Sequence, residues 1–400
     1  MRAVVLGGGG LTGRCAVRDL AVGRVFSEVV AADLDGSLAQ AAAGAAGHRA
    51  RPLQLDVRDG SALRAALRGA DVCVNAVQYA FNLEVMAACL DARVPVLDFG
   101  GLFHMTRRQL EWDARFREAE LLAIPGLGQV PGVSNVLAWA ATRDLDQVDS
   151  VIFRDGWRDL TVGGPELVFT WSPSTFLDEM VLPAQVWEDG AYHPRPAMSE
   201  GEEFDFPAPV GKVRVYRTLH SEPATVPLSL ADKRLGRCEW KEGGPGIDLL
   251  RNLALLGLAD TEPIQVGDHP VVPRSVLLAL LRNRSLLGYP PETRIDDWEV
   301  LDVEVRGRKS GLPVLRHAQA RFPPKPEWQL SATEYAVGVC GAIGAELIAT
   351  GQALGKGVLP PERAVPADVF RRALADRGIR TAIAPPEPGL GTDFRDPAPP

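Results

Sequence analysis

Four consecutive glycines, Gly7 to Gly10, follow a short apolar run at 3–6, and Gly13 comes three residues after them. Gly8-Gly9-Gly10-Leu11-Thr12-Gly13 is a G-x-G-x-x-G pattern between an expected strand and an expected helix over 11–22. Gly8 makes the tight turn, Gly10 lets a pyrophosphate approach the backbone, and Gly13 lets the helix pack on the sheet. Backbone N–H groups at the helix start, with Leu11 and Thr12 among the loop residues, then face the dianion, and the helix dipole favours that charge. Asp33 ends the next apolar run, twenty residues past Gly13. A carboxylate there accepts hydrogen bonds from both adenosine ribose hydroxyls and repels a 2′-phosphate, so NAD is expected over NADP. Asp35 is a second candidate for that role, and Arg14 and Arg18 lie close enough in sequence to reach a phosphate.

Short apolar strands at 29–32, 52–55, 72–77 and 94–97 alternate with helices at 37–47, 60–68 and 83–92, which indicates an α/β, Rossmann-type parallel sheet covered on both faces. A further helix is expected at 107–120 and a strand at 121–124. The turn-rich loop at 125–132 then marks a domain boundary, giving a nucleotide domain over 1–125 and an α+β substrate and dimerisation domain over 126–330. In the latter, runs at 151–153, 167–171, 213–216 and 300–305 read as strands, and 174–182, 246–258 and 273–284 as helices. Residues 306–311 read as the loop of a hairpin. A densely apolar helix is expected at 333–350, within a C-terminal segment over 331–382, and a proline-rich tail at 383–400 has too few apolar side chains to fold.

The formal net charge of −8 argues against a nucleic-acid partner. The five cysteines form no CxxC pair, and no histidine pair has metal-ligand spacing, so neither a disulfide framework nor a metal is expected. No apolar stretch reads as a signal peptide or a bilayer span, which leads to the expectation of a soluble cytoplasmic protein with no membrane partner.

Further cofactor contacts are expected beyond the carboxyl ends of the strands: Asp56, Asn75 with Ala76, and Asp98 with Gly100. A helix cap is the equal alternative for Asp56. His104, just past residues 98–101, and His220, in a polar run after a strand, are the candidates for proton transfer. Arg217, Glu222 and Lys241 lie near turns of the second domain, where a cation suits a substrate carboxylate.

Taken together, these segments resemble the saccharopine dehydrogenase-like superfamily, which includes saccharopine reductases, lysine 6-dehydrogenases and carboxynorspermidine synthases. The resemblance rests on residues 4–7 with the glycine loop, 71–76 (DVCVNA), 92–101 (ARVPVLDFGG), 125–135 (PGLGQVPGVSN), 338–345 (GVCGAIGA) and 357–362 (GVLPPE). It implies a late helix returning to pack on the nucleotide domain, a substrate cleft between the domains, a homodimer, and hydride exchange at a C–N bond of an amino-acid-like small molecule. Pro131, Ser134 and Asn135, with 98–101, are then expected to wall the nicotinamide and substrate pocket. At 238–246 (CEWKEGGPG) the Arg and His common in the family are missing, leaving Lys241 as the nearby cation and a third catalytic candidate. That departure leaves two alternatives open: an NAD-sensing protein that has lost the chemistry, or a reductase of carbonyls.

Overall fold

The computed structural model describes residues 1–164 and 167–384. The expected tail lies, from 385 onward, outside the described residues. Strands β1 (Arg2–Leu6), β2 (Glu28–Asp33), β3 (Ala50–Gln54), β4 (Val72–Asn75), β5 (Val96–Asp98) and β6 (Leu122–Ile124) pair in parallel in the order β6-β5-β4-β1-β2-β3. Val4, Val5, Leu6, Val72, Cys73 and Val74 are inaccessible to solvent, as strands with helices on both faces must be. The strand order reverses beside β1, which opens a crevice at the carboxyl ends. The helix Gly13–Val22 starts there. A Cβ on Gly13 would sit 2.1 Å from the Gly7 carbonyl oxygen, so the last glycine of the motif allows the helix to begin tight against the turn.

The second layer is a mixed sheet. It is built from β7 (Gln147–Asp159), β8 (Ala184–Glu188), β9 (Ala191–Arg195), β10 (Ser199–Asp205), β11 (Lys212–Arg217) and β12 (Arg237–Gly243). A detached hairpin, β13 (Ile264–Val266) and β14 (His269–Val271), precedes β15 (Asp297–Lys309) and β16 (Leu312–Phe322). The order is β10-β11-β12-β7-β15-β16, with β12 parallel to β7 and the other neighbours antiparallel. The C-terminal segment serves both sheets: β17 (Gly357–Val358) joins β6, and β18 (Arg380–Ala384) joins β16.

Residues 306–309 belong to strand β15 and not to a loop, because pairing continues to Lys309↔Leu312. The reversal takes only Ser310 and Gly311, both at positive φ, as a hairpin turn matched to strand twist requires. The run at 167–171 makes a single bridge, Phe169↔Leu287, and no strand. The expected helix at 107–120 is two helices, Leu102–Leu110 and Asp113–Glu118.

The helix Ala332–Ala349 begins with a capping box between Ser331 and Glu334. Its 18 residues have a mean hydropathy of 1.2, enough by length and composition alone to cross a bilayer, contrary to the expectation that no such segment exists. It is instead a core helix, mostly buried. Gly338, Gly341 and Gly344 form a side-chain-free stripe, where an added Cβ would come within 2.4 Å of Cys15, 2.2 Å of Phe99 and 2.3 Å of Leu127. The late helix thus presses on the glycine-loop helix, on the chain after β5 and on the loop after β6. Arg377 then bridges Asp19 (2.8 Å) and Glu346 (3.1 Å), fastening the C-terminal segment to the glycine-loop helix.

Candidate active site

A cavity of about 460 Å³ lies between the two sheets at the carboxyl ends of the parallel strands. This is an ordinary size for a small-molecule site. Gly10, Leu11 and Thr12 line one end, together with Ala76 after β4, Gly100 after β5 and Pro131 after β6. Arg14 N and Ala16 N of the first helical turn already donate to Gly10 O (3.0 Å) and Thr12 O (3.3 Å), so it is the loop backbone before them, at the positive pole of the helix, that suits a diphosphate. Asp33 stands at the tip of β2, where its Oδ2 accepts from Gly9 N (2.9 Å) and its Oδ1 from Asp35 N (3.1 Å). A carboxylate has about four acceptor sites, so it can hold the loop and still receive two hydroxyls. Asp35 is engaged otherwise, capping the helix Gly36–Ala46 through Ser37 N and Leu38 N. Arg14 is drawn to Glu334 (2.7 Å) and Arg18 lies over the Trp328 ring at 4.5 Å, so both serve the C-terminal segment.

Other residues expected at the cofactor support the walls from behind. Asn75 is buried and bonds Asn82 through Nδ2 (2.9 Å). Asp98 accepts from Gly100 N and Gly126 N, each at 2.9 Å, and from Gln109 (2.6 Å). It thereby fixes the two glycine turns that shape the cavity floor, and burial raises its pKa. Asp56 is gripped by the Arg58 guanidinium, which with the Arg58 N–H holds its carboxyl down to about 2. Ser134 and Asn135 do not line the cavity. Ser134 Oγ donates to Glu222 (2.6 Å), while Asn135 caps its own helix at Gly132 N and bonds Thr225 and Glu362.

Strand parity decides the rest. Register pairs Cys238, Trp240 and Glu242 of β12 with Val151, Phe153 and Asp155 of β7, and these with Val305, Val303 and Leu301 of β15. Side chains paired in register share a face, so Asp155 and Glu242 continue an apolar stripe into the cavity, followed by Trp157 and Glu299. Lys241 and Arg217 have the opposite parity and face away. Lys241 pairs with Glu202 (3.2 Å), and Arg217 with Glu239 (2.7 Å) and Glu200 (2.6 Å). The structure therefore places Lys241, Arg217, Ser134 and Asn135 in supporting contacts and not at the cavity wall.

His220 is the histidine that lines the cavity among the described residues. It lies flat on Trp240, ring centres 3.9 Å apart, and its Nδ1 is hydrogen-bonded to Glu222. Its Nε2 is 3.9 Å from Glu179. Burial works against the imidazolium, but the Glu222 carboxylate outweighs it and the His220 pKa rises. Glu222 is fully buried, so its place is behind His220, held by Ser134. His104 lies off the cavity wall, edge-on to Tyr79 at 5.6 Å.

The feature that sequence reasoning missed is the charge of the wall. Asp155, Asp159, Glu179, Glu242, Asp297 and Glu299 line the cavity, against Arg158 as the one arginine or lysine among the described lining residues. Glu179 Oε2 and Asp155 Oδ1 are buried and have no hydrogen-bond partner among the described residues. Burial, then the neighbouring Glu242 and Glu222 charges, push Glu179 well above the carboxylate range; burial and adjacent Glu299 do the same to Asp155. Burial raises Asp297 to about 8.

Comparisons with known proteins agree with this architecture. The saccharopine dehydrogenase NADP binding domain model matches residues 3–124, and the saccharopine dehydrogenase C-terminal domain model matches 128–379. A carboxynorspermidine synthase from Vibrio alginolyticus is 27% identical over 340 residues, covering 80% of this chain and 78% of its own. A carboxyaminopropylagmatine dehydrogenase from Synechocystis is 23% identical over 325 residues, 78% and 79% of the two chains. Among solved structures, the saccharopine dehydrogenase (L-Glu forming) of Saccharomyces cerevisiae superposes with a TM-score of 0.74 at 18% identity, covering 96% of this chain and 100% of its own. The homospermidine synthase of Legionella pneumophila, solved in complex with NAD, gives 0.68 at 13% identity, covering 98% and 94%. With both of its domains matched almost end to end, the chain belongs to the saccharopine dehydrogenase family of NAD(P)-dependent oxidoreductases.

Proposed function

We propose that this chain interconverts an imine and a secondary amine on a substrate carrying more than one amine cation, a short diamine or polyamine joined to a small carboxylated carbonyl partner, with NAD(H) as its preferred cofactor. The observation that carries the reading is the carboxylate-lined cavity next to the glycine loop. A zwitterionic amino acid brings as much negative charge as positive, whereas a di- or polyamine brings an excess of N–H donors for oxygens such as Glu179 Oε2 and Asp155 Oδ1. The relatives named as carboxynorspermidine synthase and carboxyaminopropylagmatine dehydrogenase support the same substrate class. The NAD preference rests on Asp33, and on Arg14 and Arg18 being held away by Glu334 and Trp328.

The bound nicotinamide supplies or accepts the hydride. The protein's own work is to hold the amine, to exclude water and to move one proton. Asp155, Glu179 and Glu242 hold the ammonium groups. Arg158, the lone cation of the wall, suits the carboxylate end. His220, its tautomer fixed by Glu222 at Nδ1, presents Nε2 to the cavity and exchanges the proton of the C–N nitrogen as the imine is reduced or the amine oxidised. Trp157, Phe169, Trp171 and Phe176 pack together as an apolar part of the wall, which lowers the local dielectric and strengthens these contacts. The test is reductive coupling: purified protein, reduced cofactor, and a panel crossing short diamines, polyamines and single amino acids with small aldehydes bearing a carboxylate. Cofactor absorbance should fall with the di- and polyamines and hardly with the amino acids. Equal turnover with alanine or glutamate as the amine would refute the polyamine reading.

A further inference from the structure

Gln129 lies on the loop after β6, is completely buried, and lines the cavity. Neither its Nε2 nor its Oε1 has a hydrogen-bond partner among the described residues. Buried amides are normally bonded at both ends, because each orphaned group costs about as much as a lost hydrogen bond. Two backbone bonds fix the turn that carries it: Gly128 N donates to Pro131 O (2.9 Å) and Val133 N to Gln129 O (2.9 Å). The side chain thus borders the cavity with both of its polar ends buried and unpaired among the described residues. A partner that satisfies both must offer a donor and an acceptor together. An ammonium offers donors only and would strand Nε2. A carboxylate offers acceptors only and would strand Oε1. A primary carboxamide offers both, in the planar arrangement that pairs with another amide.

The position of the loop says which carboxamide. Asp33, on β2, marks the half of the sheet that takes the adenosine ribose, so the β4-β5-β6 half takes the other end of the dinucleotide. Gln129 follows β6 and borders Val130 and Pro131, also on the cavity wall. We propose that Gln129 pairs with the carboxamide of the nicotinamide and so fixes which face of the ring is turned towards His220 and the carboxylates. The inference rests on the cofactor reading above, and its test separates the two.

Dissociation constants are measured by calorimetry for NAD, for ADP-ribose, which lacks the nicotinamide, and for the 3-acetylpyridine analogue, whose methyl ketone keeps the acceptor but lacks the N–H donor. The protein as it exists should bind NAD about 10- to 100-fold more tightly than the acetylpyridine analogue. Gln129→Met should weaken NAD by a similar factor, leave ADP-ribose within about twofold, and abolish the preference over the analogue. Gln129→Glu, which keeps the shape and removes the donor, should fall with Gln129→Met. With deuterated NADH, the variants should also lose fidelity for one ring face. Equal affinity of the unaltered protein for NAD and the analogue would overturn the proposal without any variant. So would a parallel loss of NAD and ADP-ribose binding in Gln129→Met. Binding of none of the three would instead sink the cofactor reading.

Discussion

Replacing Glu179 with glutamine removes a charge from the cavity wall at almost constant shape, and it should move activity and stability in opposite directions. The carboxyl is buried, its Oε2 has no partner among the described residues, and Glu242 and Glu222 add negative potential around it. Its proton is therefore held to higher pH in the folded protein than in the unfolded chain. Between those two pKa values the native state binds more protons, so stability falls as pH rises through the window. Glu179→Gln removes that slope. Each pH unit within that window costs about 1.4 kcal/mol, and 1 kcal/mol corresponds to roughly 2–4 °C in a domain of this size. The variant should thus melt a few degrees higher than the parent near pH 9 and at nearly the same temperature near pH 5. A charge-assisted hydrogen bond to an ammonium contributes about 1.5–3 kcal/mol, so KM for the diamine should rise about 10- to 100-fold. Differential scanning fluorimetry across pH and steady-state kinetics read the two effects. A lower melting temperature at alkaline pH with an unchanged diamine KM would make Glu179 a structural residue and refute the argument.

Other substitutions separate the remaining roles. Asp33→Asn should weaken NADH about tenfold while NADPH is unchanged or tightened, because one charged acceptor and the repulsion of a 2′-phosphate disappear together; fluorescence titration of both nucleotides checks it. His220→Gln should lower kcat about 10²- to 10⁴-fold with cofactor affinity retained. Glu222→Gln should shift the pH–rate limb that reports the imidazolium to lower pH, since Glu222 is what holds the His220 pKa up. Lys241→Met should leave kcat and the amine KM within about twofold, the expectation for a side chain on the far sheet face, and any cost should appear in thermal stability.

The nucleotide layer was legible because its signals are local. An apolar run, a glycine turn and a helix start are contiguous in sequence, and Asp33 falls one strand later, so spacing alone puts its carboxylate beside the glycine loop. The late helix was legible as dense and apolar, although its glycine stripe acquires meaning only against Cys15, Phe99 and Leu127. The residues behind the walls were harder. Asn75 and Asp98 read as ligand contacts from their place at strand ends, and Ser134 and Asn135 from the family resemblance. The partners turn out to be Asn82 and Gln109, 7 and 11 residues along the chain, and Glu222 and Glu362, 88 and 227 residues away.

The acidic cavity escaped sequence reasoning for a different reason: its members come from β7, β12, β15 and the helix Pro173–Val181, and no window of the sequence contains more than two of them. A usable signal was nevertheless present in strand parity. In Arg237-Cys238-Glu239-Trp240-Lys241-Glu242 the apolar residues share the parity of Glu242, and the charges at 237, 239 and 241 take the other. A carboxylate that continues an apolar stripe is headed for the interior. The lysine beside it, on the parity of the charges, is headed for a salt bridge. The same rule assigns Asp155, after Val151 and Phe153, and Glu299, before Leu301 and Val303. Applied to three strands whose pairing is then fixed by register, it brings three buried carboxylates together, while the neighbouring cations Arg154 and Lys241 take the other parity. A cavity so built lowers its own electrostatic cost by taking in protons or amine cations, and the proposed substrate class rests on that requirement more than on any single side chain.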